Sequence, residues 1–460
     1  MKFNPYPYQQ TAIRWVEDHP RCALFLDMGL GKTVATLTAI AGMIEEGSVA
    51  RVLVVAPKTV AETTWSAECE KWEHLSCLRV SLVAGTAKQR EQALSRRADI
   101  YVLGRGLFEW IEKTVKPWPF DMLVLDELTT FKSPTSKRSK ALKRVAPQCE
   151  RIVGLTGTPA PNSYEDLWMQ IYPLDFGERL GKTISAYRFN CFSAYTIGGL
   201  FTKYTLRKGM AEMIQQRLAD ICLTMEAKDF LSLPDLIEID REVMLPDTAR
   251  KAYEIFERDQ VLSLPEGADV VATSAAALMN KLSQYTSGAL YIDPPENTAW
   301  SETQRCKLDA ICDIVEEAKE PVLIFYQFRH EVPRIMAALP KSLRVGRYQG
   351  AEDLAAWNDG KYDVLLAHPA STAYGLNMQH GGRIIIWTQT GWNLELYLQA
   401  CARLHRQGQQ KPVLCYRLVC PGTVDAKALA AIKGKSSEQA ALLKALSDLR
   451  AKYLPQQSLS

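Results

Sequence analysis

The stretch Leu26-Asp27-Met28-Gly29-Leu30-Gly31-Lys32-Thr33 decides how the fold of this chain is interpreted. It follows an apolar run at 22–26 and precedes a helix-like stretch from Val34 to Ile44. This pattern predicts a strand, a glycine-rich loop and the start of a helix. Because the N–H groups and the dipole of a helix N-terminus favour negative charge, the arrangement predicts a loop that binds phosphate.

The residue types in the loop suit a nucleoside triphosphate and its magnesium ion. Lys32 is expected to reach the β- and γ-phosphates, and the Thr33 hydroxyl to ligate Mg²⁺. The backbone cradle around the phosphates is expected to consist of Met28, Gly29, Leu30 and Gly31. Leu26 stands where the strict pattern has Gly, so a glycine-rich turn with a chance Lys-Thr pair is the alternative interpretation.

The composition describes a soluble globular protein with more than one domain. The chain has 460 residues, which exceeds the size of one ordinary core. The net charge of +3 neither requires nor excludes nucleic acid, because such sites depend on local clusters. No apolar run approaches the roughly 18 residues of a membrane helix, and 1–5 lacks a signal-peptide pattern. With eleven irregularly spaced cysteines, we expect a reducing, cytoplasmic location of a bacterial or virus-infected cell and no membrane contact.

The first third of the chain alternates apolar runs with helical patterns. The runs lie at 23–26, 52–56, 100–103, 122–125 and 152–155. Strands that alternate with helices predict a parallel sheet covered by helices, whose ligands gather at the carboxyl ends of the strands.

Two carboxylates, Asp126 and Glu127, follow the fourth of these runs. With a phosphate loop upstream, Asp126 fits the acid on the Mg²⁺ side, and Glu127 fits the residue that orients or deprotonates the attacking water. Taken alone, an Asp-Glu pair is a common helix cap, which is the alternative.

Two further segments carry weaker signals. Small hydroxyl residues around Gly157, in the segment 155–159, could bond towards the phosphates, or could form a plain turn. Gln9 or Gln10 could pair its amide with an adenine edge, or could be an ordinary surface glutamine.

From 164 to about 291 the pattern is mostly helical, with amphipathic helices predicted at 211–223 and 248–261, and with extended stretches predicted at 230–234 and 237–245. Strand–helix alternation then returns, which predicts a second α/β lobe. Its apolar runs lie at 322–326, 364–367, 384–387 and 413–417.

The segment 399–409 is the most informative part of that second lobe. Arg403 and Arg406 are three residues apart, so they are expected on one helix face, where two guanidiniums can clamp a phosphate. Delivered from a second lobe, they would act as arginine fingers; a solvated basic helix is the alternative. Cys401 and His405 could be two metal ligands, but a core cysteine beside a packed or functional histidine is preferred.

Together these segments resemble the superfamily-two helicase-like ATPases, most closely the Swi/Snf family, in the order of that family's motifs. The segments concerned are 27–33, Pro57 with Trp65, Glu68 and Trp72, Asp126-Glu127 with Lys132, 155–159 with Asn162, 322–328, 371–379, and Trp392-Asn393 with 399–409. Thr129 stands where family members usually carry His.

The resemblance implies an α/β fold of two RecA-like parallel-sheet lobes with a helical insertion between them. We expect the first, ATP-binding lobe at 1–163, the insertion and linker at 164–299, and the second lobe at 300–460. The segment 371–379 resembles the family's fifth motif, and its Gly375 is added to the expected ATP-binding residues.

The resemblance also implies an ATP-driven motor on double-stranded DNA, with ATP and Mg²⁺ bound between the lobes and catalysis by Lys32, Asp126, Glu127, Arg403 and Arg406. Expected DNA contacts are Lys58, Thr59, Gln327 and Ser371; Lys137, Arg138 and Lys140 would add charge, although a solvated helix face is preferred for those three. Three alternatives stay open: a strand-separating DNA or RNA helicase, a non-catalytic DNA-binding scaffold and a small-molecule kinase. A nuclease, replication or recombination protein would be a separate partner.

Overall fold

The computed structural model describes residues 1–157, 159, 163–197, 201–230, 233–263, 271–292, 299–372 and 376–434, together with 442, 445, 448, 449 and 452. These residues divide into two compact units, Met1–Ser232 and Leu233–Ser460. Each unit is an α/β layer structure with its own sheet.

Within its described residues, the first unit contains a seven-stranded parallel sheet with the strand order β3-β4-β2-β5-β6-β1-β9. Residues 192–197 and 201–206 form a separate antiparallel ribbon, β7–β8. The strands are β1 (Arg21–Leu26), β2 (Val52–Ala56), β3 (Val80–Val83), β4 (Ile100–Gly104), β5 (Met122–Asp126), β6 (Arg151–Thr156), β7 (Phe192–Ile197), β8 (Phe201–Leu206) and β9 (Cys222–Met225).

The helices of the first unit cover both faces of this sheet, which is why its central strands are continuous apolar runs. Leu53 and Leu125 share one buried core with Phe108, Leu142 and Trp168. The helices are α1 (Pro7–Asp18), α2 (Lys32–Glu45), α3 (Lys58–Lys71), α4 (Ala87–Ser95), α5 (Phe108–Thr114), α6 (Lys137–Val145), α7 (Leu167–Asp175), α8 (Ile184–Cys191), α9 (Met210–Leu218) and α10 (Ala227–Phe230).

The second unit contains, in the residues described, a six-stranded parallel sheet with the order β10-β17-β16-β13-β15-β14. A short antiparallel pair, β11–β12, lies apart from it. The strands are β10 (Leu236–Glu242), β11 (Ala289–Tyr291), β12 (Trp300–Glu302), β13 (Val322–Phe325), β14 (Val345–Arg347), β15 (Val364–Ala367), β16 (Ile384–Trp387) and β17 (Val413–Val419).

Alternate residues of β13 supply the two cores of this unit. Ile324 packs with Leu282 and Ile311 on one face. Leu323 packs with Trp357 on the other face. The helices are α11 (Asp247–Leu262), α12 (Val271–Ser287), α13 (Cys306–Ala318), α14 (Glu331–Ala338), α15 (Ala351–Asn358), α16 (Pro369–Thr372), α17 (Leu394–Cys401) and α18 (Val424–Lys433).

The two parallel sheets confirm the predicted fold class, but the compact units divide the chain differently from the expected bounds of 163 and 299. The segment 164–299 is shared between them, because β9 pairs with β1 of the first sheet and β10 pairs with β17 of the second. The helix predicted at 211–223 ends at Leu218, and the chain then becomes β9. The segment is therefore not wholly helical.

Candidate functional site

The glycine-rich loop joins β1 to α2 in the first unit, as predicted. Gly29 and Gly31 have φ angles of +88° and +76°, a left-handed conformation that glycine adopts at least cost. The Lys32 ammonium donates hydrogen bonds to the carbonyl oxygens of Leu26 at 2.6 Å and Asp27 at 3.2 Å. The lysine charge therefore lies over the carboxyl end of β1, at the first turn of α2.

Gln9 lies against this loop. It is 7 % exposed, and its Oε1 accepts the backbone N–H of Tyr6 at 3.0 Å. A Cβ placed on Gly31 would lie only 2.5 Å from the amide nitrogen of Gln9. Gln10, in contrast, is exposed, and its amide lies 3.5 Å from the carbonyl of Pro5. Of the two predicted glutamines, the structure brings Gln9 to the loop.

Asp126 ends β5, and its Oδ2 accepts a 2.9 Å hydrogen bond from the indole N–H of Trp65. Trp65 is fully buried and holds that bond from α3. Burial raises the pKa of Asp126, while the Trp65 N–H and the nearby Lys32 charge act in the opposite direction. The Lys32 charge and the carboxylate at the end of β5 therefore belong to one electrostatic site.

Glu127 follows in a left-handed conformation, with φ +61°. Its Oε1 accepts hydroxyl hydrogen bonds from Thr129 at 3.2 Å and from Thr156 at 3.1 Å. Thr156 ends β6, the strand between β5 and β1. Thr129, at the position where the family was expected to carry His, therefore bonds to the Glu127 carboxylate. Thr156 connects the same carboxylate to β6.

Gly157 completes this cluster. A Cβ on Gly157 would lie 3.4 Å from the Leu26 carbonyl oxygen, 3.3 Å from Met28 Cγ and 3.5 Å from Lys32 Nζ. The segment 155–157 therefore borders both the lysine and the acidic pair. Thr158 and Asn162, which belong to the same motif, lie outside the described residues.

In the second unit, α17 ends at Cys401, so Arg403 and Arg406 do not share a helix face. The prediction was wrong on this point, because the chain turns immediately after Cys401. The two side chains nevertheless converge, since each donates a hydrogen bond to the Leu376 carbonyl, at 3.3 Å from Arg403 and 2.9 Å from Arg406. Gly375, predicted to bind ATP, precedes that carbonyl in the chain and lies outside the described residues.

The expected nucleic-acid contacts follow the carboxyl ends of strands in their own units. Lys58 and Thr59 begin α3 directly after β2, and the Lys58 side chain is 84 % exposed. Gln327 follows β13, where its backbone N–H donates to Glu331 at 2.8 Å. Ser371 is exposed in α16, and its hydroxyl donates to the His368 carbonyl at 2.7 Å.

Cys401 and His405, the pair considered as metal ligands, have ordinary packing partners. Cys401 is buried beside Cys415, with 3.9 Å between the sulfur atoms, and the His405 ring lies 2.8 Å from the Pro234 carbonyl. Among the described residues, no group of three or more His, Cys, Asp or Glu side chains is arranged to hold a metal ion. None of the helices in the described part of the chain combines the length and the apolar character needed to cross a membrane.

A phosphate loop next to an acidic pair, followed along the chain by a second parallel sheet with converging arginines, defines the class of helicase-like ATPases. Residues 8–287 match the family described as SNF2-related domain, and residues 306–408 match the helicase conserved C-terminal domain. The chain belongs to the SNF2-related family.

Relatives of very different lengths match the chain. The p41 protein of Acyrthosiphon pisum secondary endosymbiont phage 1 is 35% identical, and the match covers 96% of this chain and 99% of that one. The CHD3-type chromatin-remodeling factor PICKLE of Arabidopsis thaliana is 24% identical over 94% of this chain, which spans 34% of its length. An ATP-dependent helicase of Mycoplasma pneumoniae is 24% identical over 91% of this chain and 40% of its own.

Among solved structures, the SWI2/SNF2 ATPase core of Sulfolobus solfataricus in complex with dsDNA is similar, with 21% identity and a TM-score of 0.46. The match covers 98% of this chain and 97% of that one.

The sequence patterns missed two supporting contacts in the first unit. Trp65 lies in a segment that resembles the family, but its bond to Asp126 joins residues 61 apart and leaves no local signal. The bond between Thr156 and Glu127 is similar, since its partners are 29 residues apart. The sequence signal that could have indicated this bond is the hydroxyl residue Thr156 at the end of β6, the strand next to β5.

Proposed function

We propose that this protein hydrolyses ATP with Mg²⁺ and uses the energy to move along double-stranded DNA without separating its strands. One observation carries the proposal: the Lys32 charge, the Asp126 and Glu127 carboxylates and Gly157 meet at one edge of the first sheet. Membership of the SNF2-related family supports the same activity.

The first unit binds the nucleotide in this proposal. The N–H groups of the loop 28–33 and the Lys32 ammonium take the phosphates, and the amide of Gln9 takes the adenine edge. Thr33 and Asp126 fit Mg²⁺, since both offer the hard oxygen ligands that it prefers and the carboxylate lies near the phosphate lysine. The ion neutralises charge on the phosphate oxygens when it is bound.

Glu127 accepts a proton from the attacking water, and the hydroxyls of Thr129 and Thr156 fix the orientation of its carboxylate. Arg403 and Arg406 then approach from the second unit and stabilise the charge that develops in the transition state. Because both guanidiniums already bond to the Leu376 carbonyl, they move as a pair, and the fifth motif to which that carbonyl belongs moves with them.

Lys58 and Thr59 on the first unit, and Gln327 and Ser371 on the second, contact the sugar–phosphate backbone in this proposal. Contacts of this kind carry no sequence information and weaken as salt rises. The chromatin-remodeling relatives favour a duplex as the track, and a nuclease, replication or recombination protein would act as a separate chain.

The decisive experiment measures ATP hydrolysis with duplex DNA, single-stranded DNA, RNA and no nucleic acid. We expect stimulation by duplex, which persists when the strands are cross-linked, and displacement of a third strand from a triplex. Lys32→Ala, Glu127→Gln and Arg406→Ala should each lower turnover at least a hundredfold. Lys88→Ala, a change at an exposed lysine of α4, is the matched control for Lys32→Ala.

Two of the alternatives, the helicase and the scaffold, predict different results. A strand-separating helicase would release a labelled strand from a partial duplex. A non-catalytic scaffold would bind duplex DNA, but the wild-type chain would hydrolyse ATP no faster than the Lys32→Ala variant. Normal turnover in Glu127→Gln would remove that residue from its assigned role.

A further inference from the structure

The short helix α10 of the first unit is bonded to the start of the phosphate loop. Asp27, immediately before the loop 28–33, has an Oδ2 that accepts a 2.9 Å hydrogen bond from the backbone N–H of Ala227, 200 positions later in the chain. The backbone N–H of Asp27 donates in turn to the Met225 carbonyl at 3.1 Å. Two bonds therefore tie the start of the loop to 225–230, the end of β9 with α10, which we call the exit segment.

The middle of the loop is connected to the same segment through α1. Phe230, the last residue of α10, packs against Tyr8, with 5.3 Å between the ring centroids. Tyr8 is buried and precedes Gln9. The amide nitrogen of Gln9 lies so close to Gly31 that a Cβ there would be 2.5 Å from it. The contacts that begin at Asp27 thus pass through the exit segment and α1 and return to the loop.

The phosphate lysine is part of the same set of contacts. The Lys32 ammonium donates to the carbonyls of Leu26 and Asp27, and Leu26 is the register partner of Met225 in the sheet. Opening of the exit segment would release Asp27 and so disturb the backbone that positions the loop. A ligand that binds only the closed form stabilises that form by mass action. A ligand of the loop should therefore stabilise the exit segment as well.

We propose that Asp27 is a positioning residue through which a nucleotide at the phosphate loop stabilises the exit segment. The inference rests on the proposed function, since it needs a nucleotide at this loop, and it adds what that binding changes elsewhere in the chain. The exit segment leads out of the first unit, and the first strand of the second unit, β10, begins at Leu236. Nucleotide binding thus stiffens the chain where the two units are connected.

The test is hydrogen–deuterium exchange of the full chain with and without Mg·ADP, followed in peptides that contain the Ala227 amide. If opening of the exit segment abolishes binding, ADP at about 100 times its Kd should slow exchange there about 100-fold. β3, at the opposite edge of the same sheet, is the internal control. Its exchange should be unchanged, because its opening leaves the loop and the exit segment in contact.

Two substitutions at Asp27 separate the positioning role from a purely structural one. Asp27→Ala removes the acceptor of the Ala227 N–H, so exchange without ADP should be about tenfold faster or more. ADP at about 100 times the Kd of this variant should then slow exchange less than about threefold. Asp27→Asn keeps an acceptor oxygen and should keep the response of the wild type. Asp18→Ala, at an exposed acid that ends α1, is the matched control and should also keep it.

The remaining outcomes each decide the question. Loss of ADP binding in Asp27→Ala but not in Asp27→Asn would support the same role. Equal slowing by ADP in Asp27→Ala and wild type would overturn the inference, because the nucleotide would then act without Asp27. An Asp27→Asn variant that behaves like Asp27→Ala would overturn it too, since the acceptor oxygen would not be what matters.

The experiment also distinguishes this inference from the proposed function. If wild type binds Mg·ADP and hydrolyses ATP, but its exit segment exchanges at the same rate with and without ADP, the inference alone fails. If wild type binds neither ADP nor ATP, the proposed function fails and the inference fails with it.

Discussion

A buried ion pair in the second unit offers the sharpest quantitative prediction. Lys307 of α13 and Asp425 of α18 lie 2.7 Å apart, with side chains that are 3% and 4% exposed. Lys307 also donates to the Thr388 carbonyl at 2.7 Å, and Asp425 accepts the Thr286 hydroxyl at 2.7 Å. Burial alone would lower the pKa of Lys307, but the charge and hydrogen bond of Asp425, with smaller contributions from Cys420 and Glu331, together outweigh burial, and the pKa is raised. The pair therefore joins α12, α13, α18 and the segment after β16.

Lys307→Met removes the positive charge and leaves the Asp425 carboxylate buried with neutral donors only. Breaking one partner of a buried pair costs about 3–5 kcal/mol, because the remaining charge loses its compensation. For an unfolding slope of about 2 kcal/mol per molar urea, the midpoint for this unit should fall by about 1.5–2.5 M. Lys307→Met combined with Asp425→Asn should recover part of this loss, since no net charge is then buried.

The assay is urea unfolding of the full chain. A separate spectroscopic probe in each unit monitors the unfolding, because the two units need not unfold together. Lys361→Met is the matched control, since Lys361 lies 3.1 Å from Asp359 with both side chains more than half exposed. Exposed pairs of this kind contribute about 0–1 kcal/mol. If Lys307→Met costs no more than Lys361→Met, or if the double variant is less stable than both single variants together predict, the argument from burial is refuted.

Three further changes test other parts of the structure. His330 is fully buried, and burial lowers its pKa from 6.5 to about 4. As the pH falls, the unfolded chain therefore binds a proton at this residue before the folded chain does, and the free energy of unfolding should fall by at most about 3 kcal/mol between about pH 6.5 and pH 4. His330→Gln should remove this dependence when unfolding is measured at a series of pH values. Gly31→Ala forces a Cβ to 2.5 Å from Gln9 at a φ of +76°, so KM for ATP should rise about tenfold or more in steady-state kinetics, and an unchanged KM would contradict the assigned loop geometry. Trp65→Phe removes a hydrogen bond to the carboxylate at the end of β5, worth about 1.5–3 kcal/mol, so turnover should fall about tenfold or more. Trp72→Phe, which loses a 2.6 Å bond to a carboxylate near the end of α3, should have normal turnover.

The central strands could be predicted closely from the sequence. The apolar runs 52–56, 364–367 and 384–387 match β2, β15 and β16 residue for residue. Strands covered on both faces must be apolar throughout, so their ends coincide with the ends of the runs. The phosphate loop was equally accessible, because its strand, glycines and helix are contiguous.

The pairing partners of the edge strands and the long-range contacts could not be predicted in this way. β9 has four residues, and its Cys222 pairs with Ala23 of β1, which lies 199 positions earlier in the chain. No local sequence signal indicates such a pairing. β10 lies largely within the extended stretch predicted at 237–245, but its pairing with β17, where Arg417 compensates Asp240, has no local signal. The helical spacing of Arg403 and Arg406 was misleading, because the register says nothing about where a helix ends.

The placement of β9 and β10 has a practical consequence for dissecting this protein. Each is the outermost strand of a different sheet, yet only the ten residues 226–235 separate them along the chain. A fragment cut after 163 would leave β1 with a bare row of amide and carbonyl groups, and one begun at 300 would do the same to β17, inviting aggregation. Recombinant halves should instead be separated near 232, where each sheet keeps its own border.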